Sequence, residues 1–122
     1  MDAIAHARSL IDDIRQHPDR FTNNLAEAER ILLSAAQAEP PNIDVLTCLG
    51  AVLSDRGKHQ EAARILRSAI STGSRDRNTY FNLGVALINS ATHEEAMSYF
   101  KQASTLGPYA QTWEAYFDPQ AH

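Results

Sequence analysis

The side chains best suited to catalysis or metal binding in this chain are five histidines and a single cysteine. His93 is followed by two glutamates, but a helical zinc-protease motif requires a second histidine four residues after the first, where this chain has Met97. His59 and His93 lie 34 residues apart, and a repeated structural position explains that spacing better than a bridged metal does. The other histidines, which lie in no metal-binding motif, are His6, His17 and His122.

Cys48 lacks the neighbours that would make its thiol reactive. It lies between Leu46 and Leu49 with no base beside it in the sequence, which favours a packed thiol over a nucleophile with a lowered pKa. The chain contains no glycine-rich phosphate loop and no nucleophile elbow. We therefore expect a protein that is not an enzyme and that holds no metal and no cofactor.

Length and charge limit the remaining functional classes. A chain of 122 residues is predicted to form one domain. Its net charge of −4 disfavours a general nucleic-acid role, and no apolar run is long enough for a membrane span. One cysteine fits a reducing compartment and the N-terminus has no signal-peptide core, so we expect a cytoplasmic protein. The preference for Arg over Lys is typical of a GC-rich, bacterial genome.

Two consecutive segments of 34 residues, 43–76 and 77–110, align on each other without a gap. Leu49-Gly50 corresponds to Leu83-Gly84, and a fixed period of this length indicates a repeat array. The other pairs in register are Leu53 and Leu87, Glu61-Ala62 and Glu95-Ala96, Leu66 and Phe100, and Ala69 and Ala103.

Each segment has the pattern of a helical hairpin. In the second segment, residues 80, 83, 84 and 87 share one face of a predicted first helix at 77–89. Gly84 on that face would let a neighbouring helix approach closely. Thr92 and Glu95 have the spacing of a capping box that opens the second helix, and Gly107-Pro108 ends it.

These positions resemble the tetratricopeptide repeat family. The matching residues are Tyr80, Leu83-Gly84, Leu87, Ala96, Phe100, Ala103 and Pro108, and in the first segment Leu46, Leu49-Gly50, Leu53, Gly57, Ala62, Leu66 and Ala69, with Ser74 where the family has proline. The resemblance implies an all-α solenoid of about three helical hairpins. It also implies a protein-binding scaffold, although the ligands of such scaffolds vary widely.

A third, degenerate repeat is predicted at residues 9–42. Its second helix, predicted at 25–38 with Asn24 as the N-cap, keeps the small and large apolar residues of the pattern. Its first helix, predicted at 2–16, has Arg15-Gln16 where the other repeats have Leu-Gly. Either a terminal repeat has lost its packing residues because one face lies in water, or this helix itself contacts a partner.

Four aromatic residues follow the last repeat. Their spacing predicts a short capping helix at 111–117 that covers the exposed end of the array, or alternatively the seam of a homodimer, because aromatic residues are enriched at interfaces. These residues are Tyr109, Trp113, Tyr116 and Phe117.

The resemblance also implies that the first helices of successive hairpins line a concave groove that binds the partner. Phe81, Val85 and Ile88 form an apolar stripe there, which either a partner or the C-terminal helix would cover. The groove has Asn82 but no Lys or Arg at the positions that clamp a chaperone's C-terminal carboxylate, which disfavours that ligand. The expected partner-binding residues are Asp44, Thr47, Ala51, Ser54 and Asp55 on helix 43–55, and Asn78, Phe81, Asn82, Val85, Ile88 and Asn89 on helix 77–89.

The sequence thus predicts a non-catalytic module that binds an amphipathic peptide or helix of a protein partner. Such a module would act as an adaptor or a dedicated chaperone. Two alternatives remain: an inhibitor or immunity-type protein that occludes a partner enzyme or toxin, and a homo-oligomeric scaffold. No nucleic-acid or membrane partner is expected.

Overall fold

The computed structural model describes residues 2–90 and 93–115. These residues form six α-helices and no β-strand. The helices are α1 (Ala3–Gln16), α2 (Phe21–Ala35), α3 (Ile43–Asp55), α4 (His59–Ser71), α5 (Arg77–Asn89) and α6 (His93–Ala103), with a single 3₁₀ turn at Pro18–Arg20 between α1 and α2.

The six helices form three hairpins stacked in chain order. Within the hairpins α1 packs on α2, α3 on α4 and α5 on α6, while α2 with α3, α4 with α5, and α3 with α5 join one hairpin to the next. This arrangement confirms the all-α solenoid predicted from the repeat. Helix α3 lies at its centre, with every residue from Val45 to Asp55 buried.

The glycine of each Leu-Gly pair lies directly beneath a large side chain of the second helix of its hairpin. A Cβ atom on Gly50 would lie 2.4 Å from Cγ of Leu66, and one on Gly84 would lie 2.7 Å from Cε1 of Phe100. Both distances are far below van der Waals contact, so only glycine admits these side chains. The correspondence of Leu66 with Phe100 in the sequence therefore has a direct packing cause.

The first helices of the two regular repeats begin and end where the sequence predicts. Asn42 caps α3 by accepting a hydrogen bond from the backbone N–H of Val45 at 3.2 Å. Asp76 caps α5 by accepting from the N–H of Asn78 at 2.9 Å. Thr92, the predicted cap of α6, lies outside the described residues.

The first hairpin departs from the regular phase of the repeat. Helix α1 begins at Ala3, whereas the repeat period predicts a start at residue 9. It ends before Pro18, which cannot continue a helix. The prediction that Asn24 caps α2 is wrong, because α2 already begins at Phe21. The amide of Asn24 instead donates to the carbonyl oxygen of Leu10 at 2.9 Å and to a carboxylate oxygen of Asp13 at 2.9 Å, which ties α2 to α1.

The predicted capping helix at 111–117 is not formed in its described part. Residues 112–115 have no regular secondary structure, and Tyr116 and Phe117 lie outside the described residues. The chain after α6 instead turns back over the array at residues 109–112. No helix in the described part of the chain is long and apolar enough to cross a bilayer.

Candidate functional site

The groove formed by the first helices of the three hairpins contains residues 109–115 of the same chain, which we call the tail segment. The side-chain amide of Asn82 donates to the carbonyl oxygen of Trp113 at 3.0 Å, and its oxygen accepts from the N–H of Ala115 at 3.0 Å. One buried side chain on α5 thus pairs with two backbone groups of an irregular peptide. This pairing satisfies groups that would otherwise lack a partner.

The fully buried carboxylate of Asp76 binds the first part of the tail segment, before the residues that Asn82 binds. In addition to capping α5, it accepts from the backbone N–H of Tyr109 at 3.0 Å and from the hydroxyl of Thr112 at 2.5 Å. The amide of Asn78 in turn donates to the hydroxyl oxygen of Thr112 at 3.0 Å. Hydrogen bonds to a charged acceptor are stronger than neutral ones, so Thr112 is held firmly.

A buried chain of hydroxyl groups supports α5 from the side of α3. The hydroxyl of Thr79 lies 2.6 Å from that of Thr47 on α3 and 2.7 Å from that of Ser74. The hydroxyl of Ser74 also accepts from the backbone N–H of Asp76 at 3.2 Å. The serine that replaces the family's proline therefore helps to position the carboxylate that holds the tail segment.

Trp113 fills the groove between the helices and is only 2% exposed. The guanidinium carbon of Arg8 on α1 lies 5.8 Å from the centre of its ring, and Arg8 also donates to the carbonyl oxygen of Ala110 at 2.9 Å. Its indole nitrogen is buried without a hydrogen-bond partner among the described residues. The ring is therefore held by packing and by the cation above it.

Cys48 lies on the floor of the groove beneath the tail segment. Its sulfur is 3.8 Å from the carbonyl oxygen of Gln111, and the residue is fully buried. Burial, and then the nearby carboxylates of Asp44 and Asp76, raise the pKa of the thiol far above its ordinary value. The thiol is therefore protonated and shielded while the tail segment is in place.

Five of the predicted partner-binding residues are completely buried, so they cannot contact a partner while this arrangement persists. Asn78, also buried, and Asn82 contact the tail segment. The fully buried residues are Thr47, Ala51, Ser54, Asp55 and Asn82.

The predicted apolar stripe lies to the side of the groove. The centres of the Phe81 ring and of the Phe100 ring on α6 lie 5.3 Å apart. The guanidinium carbon of Arg77 lies 4.5 Å from the centre of the Phe81 ring. At 100° per residue, Phe81, Val85 and Ile88 point roughly opposite to Thr79, which faces α3. The stripe thus faces the open end of the array, where Ile88 is 40% exposed and Val85 half-buried. Asn89, one helical turn beyond Val85, donates to the carbonyl oxygen of Val85 at 2.9 Å.

Part of the groove remains open beside the tail segment. A cavity of about 590 Å³ lies between the start of α1, the start of α3 and residues 110–111, and Asp44 and Arg8 contribute to its wall. Desolvation, and then the proximity of Asp76, raise the pKa of Asp44. Of the predicted site residues, Asp44 is therefore one that a bound molecule can reach without displacing the tail segment.

Three residues that define the site were not predicted from the sequence. Asp76 has the type and position of a helix N-cap, so its capping role was detectable, but its bonds to the tail segment were not. Nothing in the sequence marks Thr112 or Arg8 as a contact. In the described part of the chain, no group of three or more His, Cys, Asp or Glu residues is placed to hold a metal ion.

Comparison with known families agrees with the stacked hairpins. Models described as tetratricopeptide repeat match residues 43–75 and residues 78–108, which correspond to the α3–α4 and α5–α6 hairpins. Among curated proteins, no significant match to the chain is found. Proteins built from these repeats are generally protein–protein interaction modules. The two matches and the stacked Leu-Gly hairpins identify this chain as a member of the tetratricopeptide repeat family.

Proposed function

We propose that the concave groove binds an extended segment of a protein partner, and that the chain acts as an adaptor or a dedicated chaperone. The observation that carries this proposal is the pairing of Asn82 with the backbone at Trp113 and Ala115. A side chain that recognises backbone groups accepts many sequences, provided that the bound segment is extended.

The geometry favours an extended segment over the amphipathic helix expected from the sequence. In a helix, the backbone N–H and C=O groups are already bonded to each other, so they are not available to Asn82. The residues beside the tail segment also favour some basic character in the partner. Asp44 lies close enough to Asp76 that the carboxylate of Asp76 adds to the rise in the pKa of Asp44, and a cationic side chain in the open cavity would relieve that repulsion.

A pair of charge reversals tests this proposal. Asp44→Lys changes the wall of the open cavity, whereas Asp12→Lys makes the same change on an exposed position of α1. Binding to an array of extended peptides should fall at least about fivefold for Asp44→Lys, which corresponds to roughly 1 kcal/mol, and stay unchanged for Asp12→Lys. Equal binding of the peptides to Asp44→Lys and Asp12→Lys would show that the groove is not the binding site.

A second candidate function uses the open end of the array. Ile88 is exposed on α5 beside half-buried Phe81 and Val85, and an exposed apolar face of this kind suits a second copy of the chain or an enzyme that it occludes. Ile88→Glu should then abolish self-association measured by light scattering, or inhibition of that enzyme. Leu33→Glu, at a position with 47% exposure on α2, is the matched control.

A further inference from the structure

We propose that the tail segment is an internal competitor for the groove, and that the partner is an extended segment with a small hydroxyl residue followed by a large aromatic residue. The partner would take the places of Thr112 and Trp113. This inference rests on the function proposed above and adds to it the identity of the bound segment and the means by which access is controlled.

The contacts of the tail segment can be transferred to another chain. Asn82 contacts only backbone atoms of Trp113 and Ala115. Asp76 and Asn78 recognise only the hydroxyl of Thr112 and, in the case of Asp76, one backbone N–H. A separate peptide with a threonine or serine followed by an aromatic residue would present the same groups, provided that it turns before the hydroxyl residue as residues 109–112 do and is extended after it.

The stack of hairpins also has contacts of its own. Thr47 bonds to Thr79 between α3 and α5, and the close packing at Gly50 and Gly84 lies within the hairpins. None of these contacts includes an atom of the tail segment. The tail segment can therefore leave the groove while the six helices remain packed.

Covalent attachment gives the tail segment an advantage over a separate peptide. It is joined to α6 through residues 104–108, and a short link of this kind produces an effective concentration of about millimolar. A free peptide with the same contacts must reach that concentration to compete. A natural partner would gain further affinity by extending into the open cavity lined by Asp44.

The closed arrangement therefore makes binding selective. Without a partner, the aromatic ring of Trp113 and the thiol of Cys48 are buried, so the groove exposes little apolar surface. A segment that lacks the hydroxyl leaves one oxygen of the buried Asp76 carboxylate without its donor, because the backbone N–H groups bind the other oxygen. Leaving a buried acceptor unpaired is costly. Chance apolar segments are thus rejected in favour of segments that resemble the tail.

The chain contains one tryptophan and one cysteine, and both report on release of the tail segment. The experiment adds the peptide Pro-Tyr-Ala-Gln-Thr-Phe-Glu-Ala, which matches residues 108–115 with phenylalanine in place of tryptophan, to the full-length chain. We expect the emission of Trp113 to shift to the red and Cys48 to be labelled faster by a thiol reagent. Both changes should be half complete at the same concentration, about millimolar.

Two variants of the full-length chain weaken the tail segment without changing the groove. Thr112→Val removes the hydroxyl and should lower the half-displacing concentration by about tenfold. Glu114→Gln removes an ion pair with Arg77 at 2.9 Å and should lower it by less than about fivefold. The control variant Thr105→Val, at an exposed position in the turn after α6, should leave the half-displacing concentration of the peptide unchanged. A control peptide with valine in place of threonine should compete with the wild-type tail segment about tenfold more weakly.

The inference is overturned if neither reporter changes in the wild type, Thr112→Val or Glu114→Gln up to the solubility limit of the peptide. If Thr112→Val fails to fold, Glu114→Gln decides, because its ion pair is partly exposed. A doubling of molecular mass by light scattering would assign the groove to the tail segment of a second copy. That result would overturn the proposal of a separate protein partner. Displacement of the tail segment by the peptide supports the internal competitor, whatever the peptide array shows. If the array peptides bind Asp44→Lys and Asp12→Lys equally, only the function proposed above fails.

Discussion

At the scale of single residues, the glycines of the Leu-Gly pairs are required by packing. The space beside Gly84 is occupied by the ring of Phe100, so Gly84→Ala forces that ring to move. An added Cβ would lie 2.7 Å from the ring, a clash that belongs to the upper part of the range for overpacking, about 2–3 kcal/mol. The better helix propensity of alanine returns about 1 kcal/mol, so a net loss of about 1–2 kcal/mol is expected.

Urea unfolding measures this loss. Gly107→Ala is the matched control, because no atom lies within 4 Å of a Cβ added there, and its stability should change by less than about 0.5 kcal/mol. Equal stability of the two variants would contradict the packing role of Gly84.

Asp44 gives the groove a dependence on pH. Its pKa is raised by desolvation and by Asp76, so as the pH falls its carboxylate becomes neutral earlier than an ordinary aspartate does. Binding of a basic peptide should therefore weaken at a higher pH than for an unperturbed aspartate. A titration of peptide affinity checks this. Asp44→Asn should show weaker binding and no change over the same pH range, and an unaltered pH profile in that variant would exclude Asp44 as the responsive group.

At the scale of elements, the sequence predicted the helices better than the segment that follows them. Helices α3 and α5 were predicted correctly because a repeated Leu-Gly pair and helical spacing agree at their positions. The tail segment was predicted as a helix because its aromatic residues recur at helical spacing. Its backbone groups are instead satisfied by Asn82 and Asp76, and such distant partners leave no local pattern in the sequence.

The tail segment should contribute substantially to stability through one ring. Trp113→Ala removes a side chain that is only 2% exposed and should cost about 3–5 kcal/mol. Tyr109→Ala removes a ring that is 42% exposed, while its backbone N–H still binds Asp76, and should cost less than about 1 kcal/mol. Thermal unfolding of the two variants would show the difference, and similar losses would mean that Trp113 does not anchor the tail segment.

At the scale of the whole molecule, stacking turns three hairpins into a groove that no single hairpin possesses. Hairpins are also joined by ion pairs, in which Glu29 on α2 contacts Arg56 at 2.9 Å and Lys58 at 3.0 Å. The period of the sequence predicted this architecture, because each repeat can bury its apolar face only against its neighbour. The period could not show that the groove is filled by the chain itself, since the contacts are made by residues outside the repeat pattern.

The most direct test of this account is hydrogen exchange at the backbone N–H of Ala115, measured by NMR in the full-length chain. Because this group donates to the buried amide of Asn82 at 3.0 Å, it should be protected in the free protein. It should lose protection when a competing peptide binds, while the amides of α5 remain protected. An Ala115 N–H that exchanges as fast as in an unfolded chain would contradict the central claim that the tail segment occupies the groove.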